Sequence, residues 1–204
     1  MFITFEGIDG SGKTTQINLL SARLRQRGID VLALREPGGN EVSENIREVL
    51  LSSKNEIGVR AELLLFVAAR AQLVEKVIRP ALDAGKLVIC DRYCDSSVAY
   101  QGFGRGIDID DVHSCNKFAT NNLVPNLTFF LDVPTTVGLG RKSSRGENVL
   151  DRMESAGESF FDKARKGYLS IAESEPERFI VLDGRATPEE IHDEIWKTVG
   201  AQIK

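Results

Sequence analysis

Residues 7 to 14 read Gly-Ile-Asp-Gly-Ser-Gly-Lys-Thr and satisfy the pattern G-x-x-x-x-G-K-[ST] at every fixed position. The spacing is chemical. Glycines let successive backbone N–H groups turn inward around phosphate oxygens, the lysine neutralises the outer phosphates, and the hydroxyl after it can ligate a divalent cation. The run nominates Gly7, Ile8, Asp9, Gly10, Ser11, Gly12, Lys13, Thr14 and Thr15 as a cradle for ATP, with Lys13 on the β- and γ-phosphates and Thr14 on Mg²⁺. A merely structural Gly-rich turn would leave the Lys-Thr ending unexplained.

Two further groupings could do chemistry. The apolar run Leu87 to Cys90 ends in Asp91-Arg92, where Asp91 can support the Mg²⁺ shell through water and the arginine suggests a second anionic substrate. Phe66 and Arg70, four residues apart in a helical pattern, share one face and pair a flat stacking surface with a fork of donors. Taken alone, that pair reads as a core phenylalanine beside a solvent-seeking arginine.

The elements that must position these groups are legible from periodicity. Strand-like runs recur at Phe2 to Phe5, Val31 to Leu34, Leu87 to Cys90, Leu127 to Leu131 and Phe179 to Leu182. Helical patterns lie between them, at about Lys13 to Gln26, Glu41 to Leu51, Val59 to Asp83, Asp110 to Thr120, Ser159 to Glu173 and Pro188 to Val199. This alternation predicts an α/β three-layer sandwich of the P-loop NTPase type, a five-stranded parallel sheet flanked by helices. Polar residues follow almost every strand, at Glu6, Arg35, Asp91, Asp132 and Asp183, so charge gathers at the carboxyl edge where such sheets bind ligands.

The 204 residues suit one domain, 42% of them hydrophobic and 27% charged. A net charge of -4 gives no overall field favouring nucleic acid or an anionic membrane, and the expectation is that neither is a partner. Cys90, Cys94 and Cys115 have neither disulfide-framework nor zinc spacing. The absence of a signal-like start and of a membrane-length apolar run leads to an expected cytoplasmic location. One stretch breaks the pattern: residues 141 to 157, RKSSRGENVLDRMESAG, are polar, lack a hydrophobic period and read as a short flap or lid.

The chain resembles the thymidylate kinase family. The resemblance rests on FEGIDGSGKTT at 5 to 15, REPGG at 35 to 39, LLFVAARAQ at 64 to 72, DRYCDSSVAYQGFGRG at 91 to 106, PNLTFFLDV at 125 to 133 and LDRME at 150 to 154. These run in family order over most of the chain. The resemblance implies transfer of phosphate from ATP to dTMP in dTTP biosynthesis, with Mg²⁺, and a homodimer. It implies that Phe66 stacks on thymine, that Arg70, Ser97 and Gln101 meet its polar edge, and that Tyr100 lies under the sugar. Arg47 and Arg92 would hold the acceptor phosphate. Asp9 would orient the nucleotide near its 3′-hydroxyl, Glu36 would add an acidic contact, and Pro37 would sit on a cis bond.

Transition-state charge needs a cation on the migrating group. One branch of the family carries an arginine in the phosphate loop, where this chain has Gly10. The flap, with Arg141, Arg145 and Arg152, resembles the bacterial branch in which lid arginines supply that charge, Arg145 being the first choice and Arg141 facing the adenine. Two other readings stand beside this one. A kinase for another nucleoside monophosphate would show a different base preference, and an ATP-dependent regulator would make no diphosphate.

Overall fold

The computed structural model describes residues 1–143 and 151–203. Its centre is a parallel sheet of five strands in the order β2-β3-β1-β4-β5. These are β1 (Phe2–Glu6), β2 (Val31–Arg35), β3 (Leu87–Asp91), β4 (Leu127–Asp132) and β5 (Phe179–Asp183). Each closes on the polar residue that the sequence reading placed just after it. β1 is buried at all five positions because it has strand neighbours on both sides and helices on both faces.

The pleat divides the core. Ile3 and Phe5 of β1 and Phe129 and Leu131 of β4 join one cluster with Leu20 and Leu24 of α1 (Lys13–Gln26) and Ile195 of α9 (Pro188–Gln202). Phe2, Val88 and Cys90 face the other side, against Leu73, Val74 and Ile78. Phe130 packs there on Tyr168 of α8 (Glu158–Ser174), with ring centroids 4.8 Å apart. The same alternation turns Glu6 to this second face. β3 and β4 flank β1 although the chain between β1 and β3 first visits the edge, so the β1–α1 loop lies at the switch of strand order.

The remaining helices are α2 (Glu41–Leu51), α3 (Val59–Leu73), α4 (Arg79–Asp83), α5 (Cys94–Ser97), α6 (Ile109–Thr120) and α7 (Thr135–Ser143). The sequence pattern from Val59 to Asp83 reads as one helix, but a π-helical turn at Val74–Ile78 separates α3 from α4. Pro80 lacks an N–H and would disrupt an α-helical ladder there; the wider turn just before it carries the chain past, the Arg79 N–H bonding Val74 O.

The elements differ from the sequence expectation in two places. Residues 94 to 104, where no helix is expected, form α5 and a π-helical continuation, Val98–Gly104. Gly102 and Gly104 interrupt the apolar period, yet they are what lets the segment pack: a Cβ would lie 2.5 Å from Ile109 Cδ1 and 2.6 Å from Phe160 Cε2, respectively. Within the stretch expected to be a flap, residues 141 to 143 are the last turn of α7, which runs through to Ser143, and Glu154–Ala156 form a 3₁₀ turn. Arg145 lies outside the described residues.

Candidate active site

The loop between β1 and α1 wraps the α1 N-terminus, with positive φ at Gly7 (139°), Gly10 (77°) and Gly12 (105°), the region that favours glycine. Lys13, buried, folds its Nζ back to donate to Gly7 O (3.0 Å) and Ile8 O (3.2 Å). Burial first, then the Arg92 charge, lower the Lys13 pKa, while Asp91, Asp9 and Glu6 oppose that shift. Thr14 and Thr15 are exposed on the first turn of α1, and the Ile8 side chain is buried, leaving its backbone to the loop. Asp91 Oδ1 lies 3.9 Å from Lys13 Nζ and accepts no hydrogen bond.

Arg92 follows β3 with φ 71°, a left-handed backbone at a non-glycine residue. Its Nη2 donates to Asp9 Oδ1 at 2.9 Å, joining the phosphate loop to the next cavity, and its guanidinium lies 5.0 Å from the Tyr100 ring centroid. Burial works against its charge, but Tyr100, Asp9 and Tyr168 outweigh burial and raise the pKa. Beneath it, Glu6 is fully buried: Oε1 accepts from the Tyr93 N–H (2.8 Å), and Oε2 from Ser96 Oγ (2.6 Å) and Tyr168 OH (2.8 Å).

Beyond Arg92 opens a cavity of about 140 Å³. It is lined by all of the residues nominated for the acceptor: Glu36, Pro37, Arg47, Phe66, Arg70, Arg92, Ser97, Tyr100 and Gln101, together with Asp9. The nominated residues come from the turn after β2, from α2 and α3, and from the segment that follows β3, while Phe161 of α8 closes the far wall. The Glu36–Pro37 peptide is cis. Arg47, on α2, donates to Pro37 O at 3.0 Å, and burial lowers its pKa. Arg70, 2% exposed, is held by Glu36 Oε2 (2.7 Å), Ser97 Oγ (2.9 Å), Asn116 Oδ1 (2.6 Å) and Tyr93 O (2.9 Å). Burial pushes the Glu36 carboxyl up to about 7 against the pull of Arg70.

Several buried polar atoms around the loop and the cavity accept or donate no hydrogen bond within the protein. Buried groups normally find partners. Of the seven described buried side-chain atoms without one, Ser11 Oγ belongs to the loop, Glu36 Oε1 and Tyr100 OH belong to the cavity, and Asp91 Oδ1 closes β3 3.9 Å from Lys13 Nζ.

The flap arginines separate. Arg141, at the end of α7, donates to Gly184 O (2.9 Å) beyond β5, on the phosphate-loop side. Arg152 is directed to the acceptor wall instead, donating to Leu50 O (2.8 Å) and to the buried Glu62 carboxylate (2.5 Å). Sequence reasoning missed Glu62, Ser96, Tyr168 and the lining residues Leu51, Asp151, Met153 and Phe161. Glu62 precedes Phe66 by one helical turn, and that spacing was the one available signal.

A phosphate loop at the switch point of a parallel sheet, joined through Asp9–Arg92 to a second cavity rich in arginine, defines a P-loop phosphotransferase with a separate anionic acceptor. Comparison with known proteins narrows the class. The family model described as thymidylate kinase matches residues 5–195. The chain is 50% identical over 211 residues to the thymidylate kinase of Chlorobium luteolum, covering 100% of this chain and 99% of that one. It is 49% identical over 208 residues to that of Chlorobaculum parvum, with 98% and 96% covered. The crystal structure of thymidylate kinase from Ehrlichia chaffeensis superposes with a TM-score of 0.79 at 36% identity, over 98% of each chain. The chain belongs to the thymidylate kinase family.

Proposed function

We propose that the chain transfers the γ-phosphoryl group of ATP to dTMP, giving ADP and dTDP for dTTP synthesis. The observation that carries this reading is the convergence of orphaned acceptors and caged arginines in one cavity that meets the phosphate loop at Asp9–Arg92. The loop N–H groups and Lys13 hold the donor phosphates. Lys13 is pre-placed by the Gly7 and Ile8 carbonyls and can exchange those weak partners for phosphate oxygens.

In the acceptor cavity, Phe66 provides the stacking face, and Arg70, Ser97 and Gln101 provide the polar edge. The Tyr100 ring lies beneath the sugar. Arg92 and Arg47 neutralise the acceptor phosphate and aim an oxygen that is already anionic, so the attack needs no general base. Asp9 and the unpartnered Glu36 Oε1 accept from the sugar hydroxyl. Arg145 carries the transition-state charge that Gly10 cannot, and Arg141 lies toward the adenine.

The residues present fit Mg²⁺. Thr14 is exposed beside the loop and Asp91 Oδ1, 3.9 Å from Lys13 Nζ, accepts no hydrogen bond, so a hydroxyl and a carboxyl oxygen are at hand for an ion that otherwise keeps waters and phosphate oxygens. When bound, the ion offsets charge on the β- and γ-phosphates.

The same reading includes a homodimer. α2 packs on α3 and α3 on α6, and these helices leave Val49, Leu64 and Phe118 exposed. No described helix is long and apolar enough to cross a membrane.

A coupled ADP-release assay with ATP, Mg²⁺ and each of dTMP, dUMP, dCMP, dGMP, AMP and UMP tests the function. Fastest turnover with dTMP, yielding dTDP, is the expected result; preference for another monophosphate would refute the assignment of the base site.

A further inference from the structure

Gln101 lines the acceptor cavity, and the group that decides which of its two amide atoms faces inward is Glu62. Glu62 lies on α3, 1% exposed, behind the cavity wall. Its Oε1 accepts from Gln101 Nε2 (3.0 Å) and Arg105 Nε (3.1 Å), and its Oε2 from Arg105 Nη2 (3.1 Å) and Arg152 Nη1 (2.5 Å). Burial alone would raise the carboxyl pKa, but the hydrogen bonds from Gln101, Arg105 and Arg152 outweigh it and hold the group below its ordinary value. At neutral pH Glu62 is therefore an acceptor only.

That fixes the glutamine. An amide facing a carboxylate must present its NH₂, because oxygen against oxygen would be repulsive. Gln101 Oε1 is left over, and among the described residues no donor meets it. Nearby, Arg70 has committed Nε to Glu36, both Nη1 protons to Ser97 and Asn116, and one Nη2 proton to Tyr93 O, so one N–H remains. Ser97 Oγ, having accepted from Arg70, keeps its own proton to donate. The polar edge thus sets donors beside one acceptor. A pyrimidine with a carbonyl next to a protonated ring nitrogen, as in thymine, is complementary; cytosine carries an amino group next to a bare ring nitrogen and presents the reverse.

We propose that Glu62 is a specificity-determining positioning residue. By orienting Gln101 it places an acceptor against the base's ring N–H and selects an imide pyrimidine over cytosine. The inference rests on the dTMP reading above, and the same assay separates the two: wild-type protein that makes no dTDP sinks that reading before any variant is compared.

The test is Glu62→Gln, in which either amide orientation of Gln101 can be satisfied. Its kcat/KM for dTMP should fall about tenfold, the size of one misdirected buried hydrogen bond. The dTMP-to-dCMP ratio of kcat/KM should shrink with it, and KM for ATP should not change. Equal losses on dTMP and dCMP, leaving the ratio intact, would overturn the proposal and make Glu62 a structural residue. Should the variant not fold, calorimetry on the wild-type protein decides: dTMP methylated at N3 should bind at least about tenfold more weakly than dTMP, and equal binding would overturn the proposal.

Discussion

Arg92 adopts a left-handed backbone that costs a non-glycine residue about 1–2 kcal/mol, and the restraint that holds it there comes from Glu6. The Glu6 carboxylate accepts the N–H of Tyr93, the next residue, and also fixes Ser96 and Tyr168, whose hydroxyls lie 3.4 Å from Arg92 Nη1. Burial, with the Asp95 charge adding to it, raises the Glu6 pKa from 4.5 to about 7. The folded state therefore binds this proton more tightly than the unfolded state. Its stabilising contribution is complete below 4.5 and is lost as pH rises through about 7. Relative to Glu6→Gln, the wild-type protein should lose about 2–3 kcal/mol of unfolding free energy between pH 5 and pH 8. Urea titrations of both proteins at the two pH values measure it; parallel curves would show that Glu6 does not titrate in that window. The fold thus places a carboxyl that is costly to ionise beneath Arg92, the residue proposed to meet the acceptor phosphate.

Among the elements, α7 and the phosphate loop touch through two glycines. A Cβ on Gly10 would sit 2.2 Å from Gly138 O, and a Cβ on Gly138 would sit 2.6 Å from Ile8 Cδ1 and 2.8 Å from Asp9 O. Glycine at position 10 is thus a packing requirement here as well as a missing charge. Gly138→Ala should gain about 1 kcal/mol in helix propensity, but overpacking against loop backbone costs about 1–3 kcal/mol. Net destabilisation with a raised KM for ATP is expected. Gly140, on the same helix with open space around its Cβ position, is the control: Gly140→Ala should stabilise slightly and leave KM alone. Thermal melts and ATP titrations of both variants check the contrast, and identical behaviour would mean that α7 does not buttress the loop. What the sequence revealed follows the same division by contact range. The phosphate loop was legible because its chemistry is contiguous and backbone-borne, and the strands because each is a short apolar run closed by one polar residue. The segment from Cys94 to Gly104 was not, since its glycines serve packing against Ile109 and Phe160. The Glu62–Gln101–Arg105–Arg152 cluster joins residues 39, 43 and 90 positions from Glu62, and only the fold brings them together.

At the scale of the whole molecule, the acceptor cavity leans on a helix with one apolar flank uncovered. α3 supplies Glu62, Phe66 and Arg70 to the site, while Leu64 on the same helix is 58% exposed and Phe118 on the adjoining α6 is 90% exposed. Covering such side chains is worth about 1.5–3 kcal/mol each, so a second copy seated on α3 and α6 would both stabilise the chain and restrain the helix that carries the base site. Leu64→Glu combined with Phe118→Glu should shift the sedimenting mass from dimer to monomer at micromolar concentration. It should also raise KM for dTMP several-fold with little change for ATP, because the donor loop lies on β1 and α1, away from these helices. Val181→Glu, on the β5 edge strand and 44% exposed, introduces a charge at the far side of the sheet and should leave the mass unchanged. A wild-type protein that sediments as a monomer would refute the dimer. A dissociated variant with unaltered KM for dTMP would keep the dimer but remove its bearing on α3, and the acceptor site would then owe its geometry to the Glu36–Arg70–Asn116 cage alone.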